Sequence, residues 1–285
     1  MKNFDPYMIN KIFTVPYFDK LISENSNLES FSKYVKQFIK RKNVTIGEII
    51  SEIYHFMDCE YRNEYFYKNT ILNQLLIKKQ DLHNTAALTE LPIGTSKADF
   101  ILINGRGKVY EIKTDLDNLL RLENQIKDYY KVFSYVYVVV GNKQLSHVKQ
   151  FLKDKKVGIY ELTTRGKVIC RKKALCNKDH LSYETMFQLL RKGEFESILL
   201  KHFHELPEVN SFHYYRECLK WLKDINIITL QKDVMQCLKE RTLMLVENNL
   251  EEKVPYELRF YAYFSKKVDT NYQNIDMLWN ARMEG

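Results

Sequence analysis

Ser96-Lys97-Ala98-Asp99-Phe100-Ile101-Leu102-Ile103-Asn104-Gly105-Arg106-Gly107-Lys108-Val109-Tyr110-Glu111-Ile112-Lys113-Thr114 reads as two apolar strands joined by a tight turn. Side chains alternate faces along a strand, so Glu111 and Lys113 point the same way. Asp99 lies directly opposite Glu111, on one face of an antiparallel hairpin, only if Ile103 pairs with Gly107. That register leaves Asn104-Gly105-Arg106 as a three-residue loop, a class that favours glycine or asparagine at its left-handed position. A two-residue loop at Gly105-Arg106 would instead put the two carboxylates on opposite faces. The turn permits the first register without forcing it.

Working outward, Ala87 to Ile93 reads as a strand before the hairpin, completing a three-stranded meander over Ala98–Ile103 and Lys108–Lys113. Leu119, Leu122, Ile126, Tyr129 or Tyr130, and Phe133 fall at helical spacing and predict a helix from about Asp117 to Phe133. The run Tyr135 to Val140, all aromatic or valine, predicts a buried strand, and Val157 to Leu162 another. A helix between the third and fourth strands is a crossover, so those two strands can lie parallel. Upstream, Thr45 and Glu48 form a capping-box pattern, and a helix is expected from about Glu60 to Gln80, broken at 81–84. Beyond about Lys173 the periodicity is helical over Leu181–Arg191, Phe212–Lys223, Leu230–Glu247 and Tyr256–Phe264. The expected fold is α/β, a mixed sheet with helical N- and C-terminal extensions. Its expected segments are 1–58, 59–172 and 173–285.

Two carboxylates on one face at a sheet end offer hard oxygen ligands for Mg²⁺ or Mn²⁺, and the carbonyl of Ile112 could add a third oxygen. A lysine beside such an ion can position water or offset charge on a phosphate. Acid-x-Lys also occurs at Asp154-Lys155-Lys156 and Glu251-Glu252-Lys253, but neither follows an apolar strand. An ordinary cross-strand ion pair is the other reading of the same residues.

Asp99 on the second strand, Glu111-x-Lys113 on the third and a crossover helix to a fourth resemble the PD-(D/E)XK nuclease superfamily over about residues 59–142. Glu111-Ile112-Lys113-Thr114 resembles the acid-x-Lys-Thr signature of its RecB-like branch, and Gln125 with Tyr129 matches that branch's Gln-x-x-x-Tyr motif. The whole chain is also similar to an uncharacterised bacterial family of that superfamily. The resemblance implies a restriction-endonuclease-like αβββαβ core. It implies Asp99, Glu111 and Lys113 as catalytic residues, and Gln125 and Tyr129 as residues that contact a nucleic-acid backbone or brace the lysine. It also implies a metal-site glutamate on the preceding helix. Glu64 lies on that helix's apolar face and fits the role, with a salt bridge to Lys68 or Arg62 as the alternative and Glu60 as a substitute. With Glu64, Asp99, Glu111 and Ile112 as metal residues, the implied cofactor is Mg²⁺ or Mn²⁺. The proline that gives the superfamily its name is absent before Asp99, and Glu90 reads as structural or supporting.

Composition sets the surroundings. Of 285 residues, 45% are hydrophobic and 28% charged, which excludes fibrous and disordered classes. Five cysteines without a paired motif exclude a structural zinc site or disulfide framework. Asp5, Pro6 and Pro16 interrupt any apolar leader, so a cytoplasmic location without membrane association is expected. Net charge is +8, and Gly141 to His180 holds eleven Lys and Arg against three acids, an excess equal to the whole. Such a field suits a polyanion, with Lys143 and Lys172 as expected nucleic-acid contacts. His202, His204 and Glu205 do not share a helical face and are discounted as a metal site.

The expected function is metal-dependent hydrolysis of phosphodiester bonds, with DNA as the expected substrate. The rival readings are a non-catalytic nucleic-acid-binding module, an RNA-cleaving toxin or defence effector, and a protein-interaction scaffold. A homo-oligomer or a protein partner engaged through the C-terminal helices is a further expectation.

Overall fold

A computed structural model describes residues 5–23, 31, 35, 43–78, 84–243, 250–265 and 268–282. The expected helix break at 81–83 and the helix end at 244–247 lie outside these. The chain divides into two compact units, one of residues 1–80, 165–167 and 245–285, the other of residues 81–164 and 168–244. These divisions differ from the 58/59 and 172/173 boundaries expected from sequence.

The second unit is built on a six-stranded mixed sheet: β1 (Ala86–Ile93), β2 (Ser96–Asn104), β3 (Arg106–Lys113), β4 (Tyr135–Gly141), β5 (Gly158–Leu162) and β6 (Val168–Lys172). Strand order follows chain order. β1–β2–β3 form an antiparallel meander, β3–β4 and β4–β5 are parallel, and β5–β6 closes the sheet as an antiparallel hairpin. Ile103 pairs with Gly107, and Asn104 also pairs with Arg106, leaving Gly105 alone at the tip with φ +61°. Glycine is suited there because it enters the left-handed region at no steric cost.

One face of the sheet carries Ile101, Ile103, Val109, Val136, Val138, Val140 and Ile159 in a single apolar core with Leu122, Ile126 and Phe133 of the crossover segment. Leu230, Val234, Met235 and Leu238, from the helix Ile227–Leu243, belong to that same core. The helices between 183 and 243 are therefore part of the sheet's unit, because their apolar stripes are buried against it. On the other face Phe100, Tyr110, Tyr137 and Tyr160 form an aromatic row, with Tyr110 and Tyr137 stacked 5.3 Å apart.

The crossover helix spans Leu122–Tyr130, shorter than the expected 117–133. Its first residues are lost to side-chain-bonded turns. Asp117 Oδ2 accepts from the Thr114 N–H and hydroxyl, each at 2.7 Å, and Asn118 Oδ1 accepts from the Leu120 N–H at 3.2 Å. Short polar side chains compete with the helix for backbone partners in this way. Two elements, the helix Asn142–Phe151 and β6, escaped the periodicity. The helix Asn142–Phe151 buries only Val148, the helix Lys192–Phe203 ends at His204 with φ +64°, and β6 is a short edge strand carrying Arg171 and Lys172.

The first unit is helical. Thr45 caps Ile46–Cys59 with the reciprocal Glu48 bonds its sequence foretold. The expected helix at 60–80 begins only at Glu64, capped by Asn63, and its last turns, Leu72–Ile77, widen into a π-helix. Buried Asn69 ties the two ends of the chain together: its amide donates to the Tyr54 hydroxyl at 2.8 Å and the Tyr256 carbonyl at 2.9 Å, and its oxygen accepts from Phe260 N–H at 2.9 Å. Among the described residues no helix is long and apolar enough to cross a membrane.

Candidate functional site

The polar residues of interest in the sheet unit gather where β3 runs out beneath the crossover helix. Glu111 is 1% exposed, a carboxylate inside an apolar core, and its environment compensates for its burial. Lys113 Nζ donates to Glu111 Oε1 at 2.7 Å, Gln125 Nε2 to the same oxygen at 2.5 Å, and the Tyr129 hydroxyl to Oε2 at 2.5 Å. Lys113 is itself 9% exposed. Burial first, and then the charge on Glu111, push the Tyr129 phenol well above its ordinary pKa, so it stays a proton donor. Gln125 and Tyr129, expected to face a nucleic-acid backbone or brace the lysine, converge on the glutamate instead.

Asp99 is half-buried and differently engaged. The paired register ends at Phe100–Tyr110, and beyond it Asp99 Oδ2 accepts the Ile112 N–H at 2.7 Å. The aspartate side chain thus takes the place of a ladder bond beside Glu111. Glu90, across β1 from it, has φ +57°, rare for a residue with a side chain. Its carboxylate forms an ion pair with Lys97, and one of its oxygens lies within 4.8 Å of an Asp99 oxygen. Glu90 reads from the sequence as structural or supporting; in the β1–β2 register it stands opposite Asp99, between the pairs Thr89–Phe100 and Leu91–Ala98.

These oxygens test the fit of a divalent cation. Asp99 and Glu90 are accessible carboxylates, and Gln125 Oε1 is a buried oxygen with no partner among the described residues. An all-oxygen donor set is the kind that Mg²⁺ or Mn²⁺ takes, so the residues fit. Glu111 has spent both oxygens on donors already named, although a carboxylate has lone pairs to spare. Ile112 contributes its N–H to Asp99. Glu64 belongs to the helical unit, where it opens its helix; its carboxylate is 55% exposed and pairs with Lys68 Nζ at 2.5 Å.

Thr114 anchors the loop that follows. Its carbonyl and that of Asp117 both accept from Gln144 Nε2, at 2.5 and 2.9 Å. Asp128, on the crossover helix, receives the Thr95 N–H and hydroxyl and the Ser96 hydroxyl at 3.1, 2.9 and 2.7 Å. That clamp fixes the β1–β2 turn to the helix carrying Gln125 and Tyr129. No sequence motif marks it, because an acid within a helix is patterned alike whether it faces solvent or a turn.

The basic stretch is partly self-engaged. Lys156 pairs with Asp179 at 2.7 Å and Arg171 with Glu161 at 2.6 Å. Lys172 Nζ is turned onto the carbonyls of Leu152, Lys153 and Lys155, closing the end of the helix Asn142–Phe151. Lys143 is 83% exposed, with Asp115 no nearer than 3.7 Å. His202 Nε2 and Lys201 Nζ meet buried Asp233 at 2.7 and 2.5 Å, an ion-pair arrangement joining two helices.

A six-stranded mixed sheet with a crossover helix over a buried Glu-x-Lys pair defines this α/β chain. It belongs to the bacteriophage P4 protein cII family, whose model matches residues 57–255. Protein cII of Enterobacteria phage P4 is 27% identical to it over 178 residues, 60% of this chain and 64% of that protein. The chain thus spans less than two thirds of that relative's length. No solved structure matches the chain.

Proposed function

We propose that the protein is a divalent-metal-dependent nuclease with a PD-(D/E)XK-like core, hydrolysing phosphodiester bonds in cytoplasmic DNA. One observation carries the reading: a buried glutamate and lysine, 2.7 Å apart at the end of a central strand, with an accessible aspartate bonded to the residue between them. An ordinary structural ion pair has no need of that third group.

Asp99, Glu90 and Glu111 would hold the ion. When bound, the ion supplies charge neutralisation at a phosphate and a more acidic water. Lys113 shields Glu111 until an anion arrives, and its ammonium can then stabilise charge developing on the phosphate. Gln125 and Tyr129 keep the Glu111 carboxylate oriented, and Tyr129 keeps its proton throughout.

The closed Lys113–Glu111 pair also supports a second reading, a nucleic-acid-binding module without chemistry. Cleavage of labelled single- and double-stranded DNA and of RNA, in Mg²⁺, Mn²⁺ or EDTA, separates the two. Metal-dependent cutting by wild type, reduced at least ~100-fold in Asp99→Asn and Lys113→Met, is expected, as for loss of a charge-stabilising group. Salt-sensitive binding without cutting would instead establish the module, and cutting of RNA alone would replace the substrate.

A further inference from the structure

The crossover helix has a second polar face. Gln125 and Tyr129 reach Glu111, whereas Glu123, Ile126, Lys127 and Tyr130, at helical spacing from one another, line a separate cavity of about 610 Å³. Residues 155–157, Asn177, Asp179 and His180 supply most of the remaining wall. The volume falls in the range of small-molecule sites, ~300–1,000 Å³.

We propose that this cavity binds a nucleoside phosphate. Its floor is apolar, formed by Ile126, Tyr130 and Val157, all at least 95% buried. Its rim is cationic: of Lys127, Lys131, Lys155 and Lys156, Lys131 pairs with Asp128 and Lys156 with Asp179, each at 2.7 Å, which leaves Lys127 and Lys155 against Glu123, an excess of one positive charge (two minus one). Lys127 and Lys155 share one oxygen of exposed Glu123, at 3.6 and 3.4 Å. Pairs that loose and that exposed are worth little, so both ammonium groups can turn to an incoming phosphate. Tyr130, a residue of the floor, carries a buried hydroxyl that has no hydrogen-bond partner among the described residues, so a donor there is unclaimed.

A bare phosphate would leave the apolar floor uncovered, and an uncharged aromatic would leave the lysines unanswered. An anion joined to a flat ring system uses both. The inference is independent of the nuclease reading, since no residue of the Glu111 cluster lines the cavity.

Isothermal titration of the full-length protein with ADP, and separately with pyrophosphate, tests it. ADP is expected to bind at least ~10-fold more tightly than pyrophosphate, a difference of about 1.4 kcal/mol. Lys155→Ala/Lys156→Ala should weaken ADP at least ~10-fold at unchanged melting temperature. Tyr130→Phe should weaken it several-fold without lowering the melting temperature of the free protein. Lys113→Met should bind ADP like wild type, which separates this site from the first. A 5′-phosphorylated oligonucleotide that displaces ADP would identify a strand end as the source of the nucleotide; failure to displace would identify the free nucleotide. Equal affinity for ADP and pyrophosphate, wild-type affinity in the double variant, or no heat at millimolar ADP would overturn the proposal.

Discussion

Glu111 shows what one buried charge demands of its neighbours. Lysine, amide and phenol all point at it, from residues 2, 14 and 18 positions away. Removing one partner of a buried pair leaves the other charge uncompensated, so Lys113→Ala should cost about 3–5 kcal/mol in urea denaturation. The paired change Glu111→Gln/Lys113→Met should recover most of that, because replacing both charges removes the desolvation penalty as well. A double variant no more stable than Lys113→Ala would mean that the pair is not the source of the loss. The Glu-x-Lys spacing was legible from strand alternation alone. Tyr129 as a partner of Glu111 was not, because a tyrosine on an apolar stripe reads as core until the helix's rotation about the sheet is known.

Among the elements, the β2–β3 hairpin and the crossover helix set the site. A Cβ at Gly107 would run into Met235 Sδ and meet Phe133 Cδ1 at 2.5 Å. Neither side chain can give way without disturbing the core, so Gly107→Ala should lose about 1–3 kcal/mol as overpacking and shift the thermal midpoint accordingly. The Ile103–Gly107 register was only permitted by the sequence, because a glycine turn serves a two-residue loop as well, and the observed pairing decides it. The late start of the helix was not legible, because Asp117 and Asn118 pass equally for first-turn helix residues and for turn-forming ones.

The aromatic row on the opposite face gives an alkaline signature. Burial pushes Tyr160, and Tyr130 of the crossover helix, up to about 12. Their neutral forms are favoured in the folded state. The stability they contribute is full below the ordinary tyrosine range near 10 and is lost as pH rises through about 12. An absorbance titration at tyrosinate wavelengths should therefore show a late group of tyrosines ionising together with unfolding. A Tyr130→Phe/Tyr160→Phe variant whose late group is as large as that of wild type would contradict their burial.

At the scale of the whole molecule, net charge alone overstated the surface available to a polyanion. The excess between 141 and 180 was legible in the sequence; its distribution among ion pairs and helix ends depends on tertiary placement. If DNA binds this surface, Lys143→Ala should reduce the slope of log affinity against log salt by about 0.9, as for one lost phosphate contact. Lys172→Ala should leave that slope unchanged and lower stability by about 1–3 kcal/mol, because three carbonyls lose their donor. Equal slopes for Lys143→Ala and wild type would take Lys143 out of the interface. The segment boundaries misled for a related reason, since helical periodicity reports that a face is buried but not against what.

The agreement of strand order with chain order bears on how the sheet assembles. Every strand pairs with its sequence neighbour, so no pairing must await a distant part of the chain. Three of the five pairings are hairpins, and the other two close over one helix each. Loop-closure entropy grows only slowly over such lengths, and low sequence separation between partners favours rapid folding. The sheet can therefore grow by adding each strand to its predecessor, and the bonds that hold Glu111 are complete once the crossover helix Leu122–Tyr130 has docked.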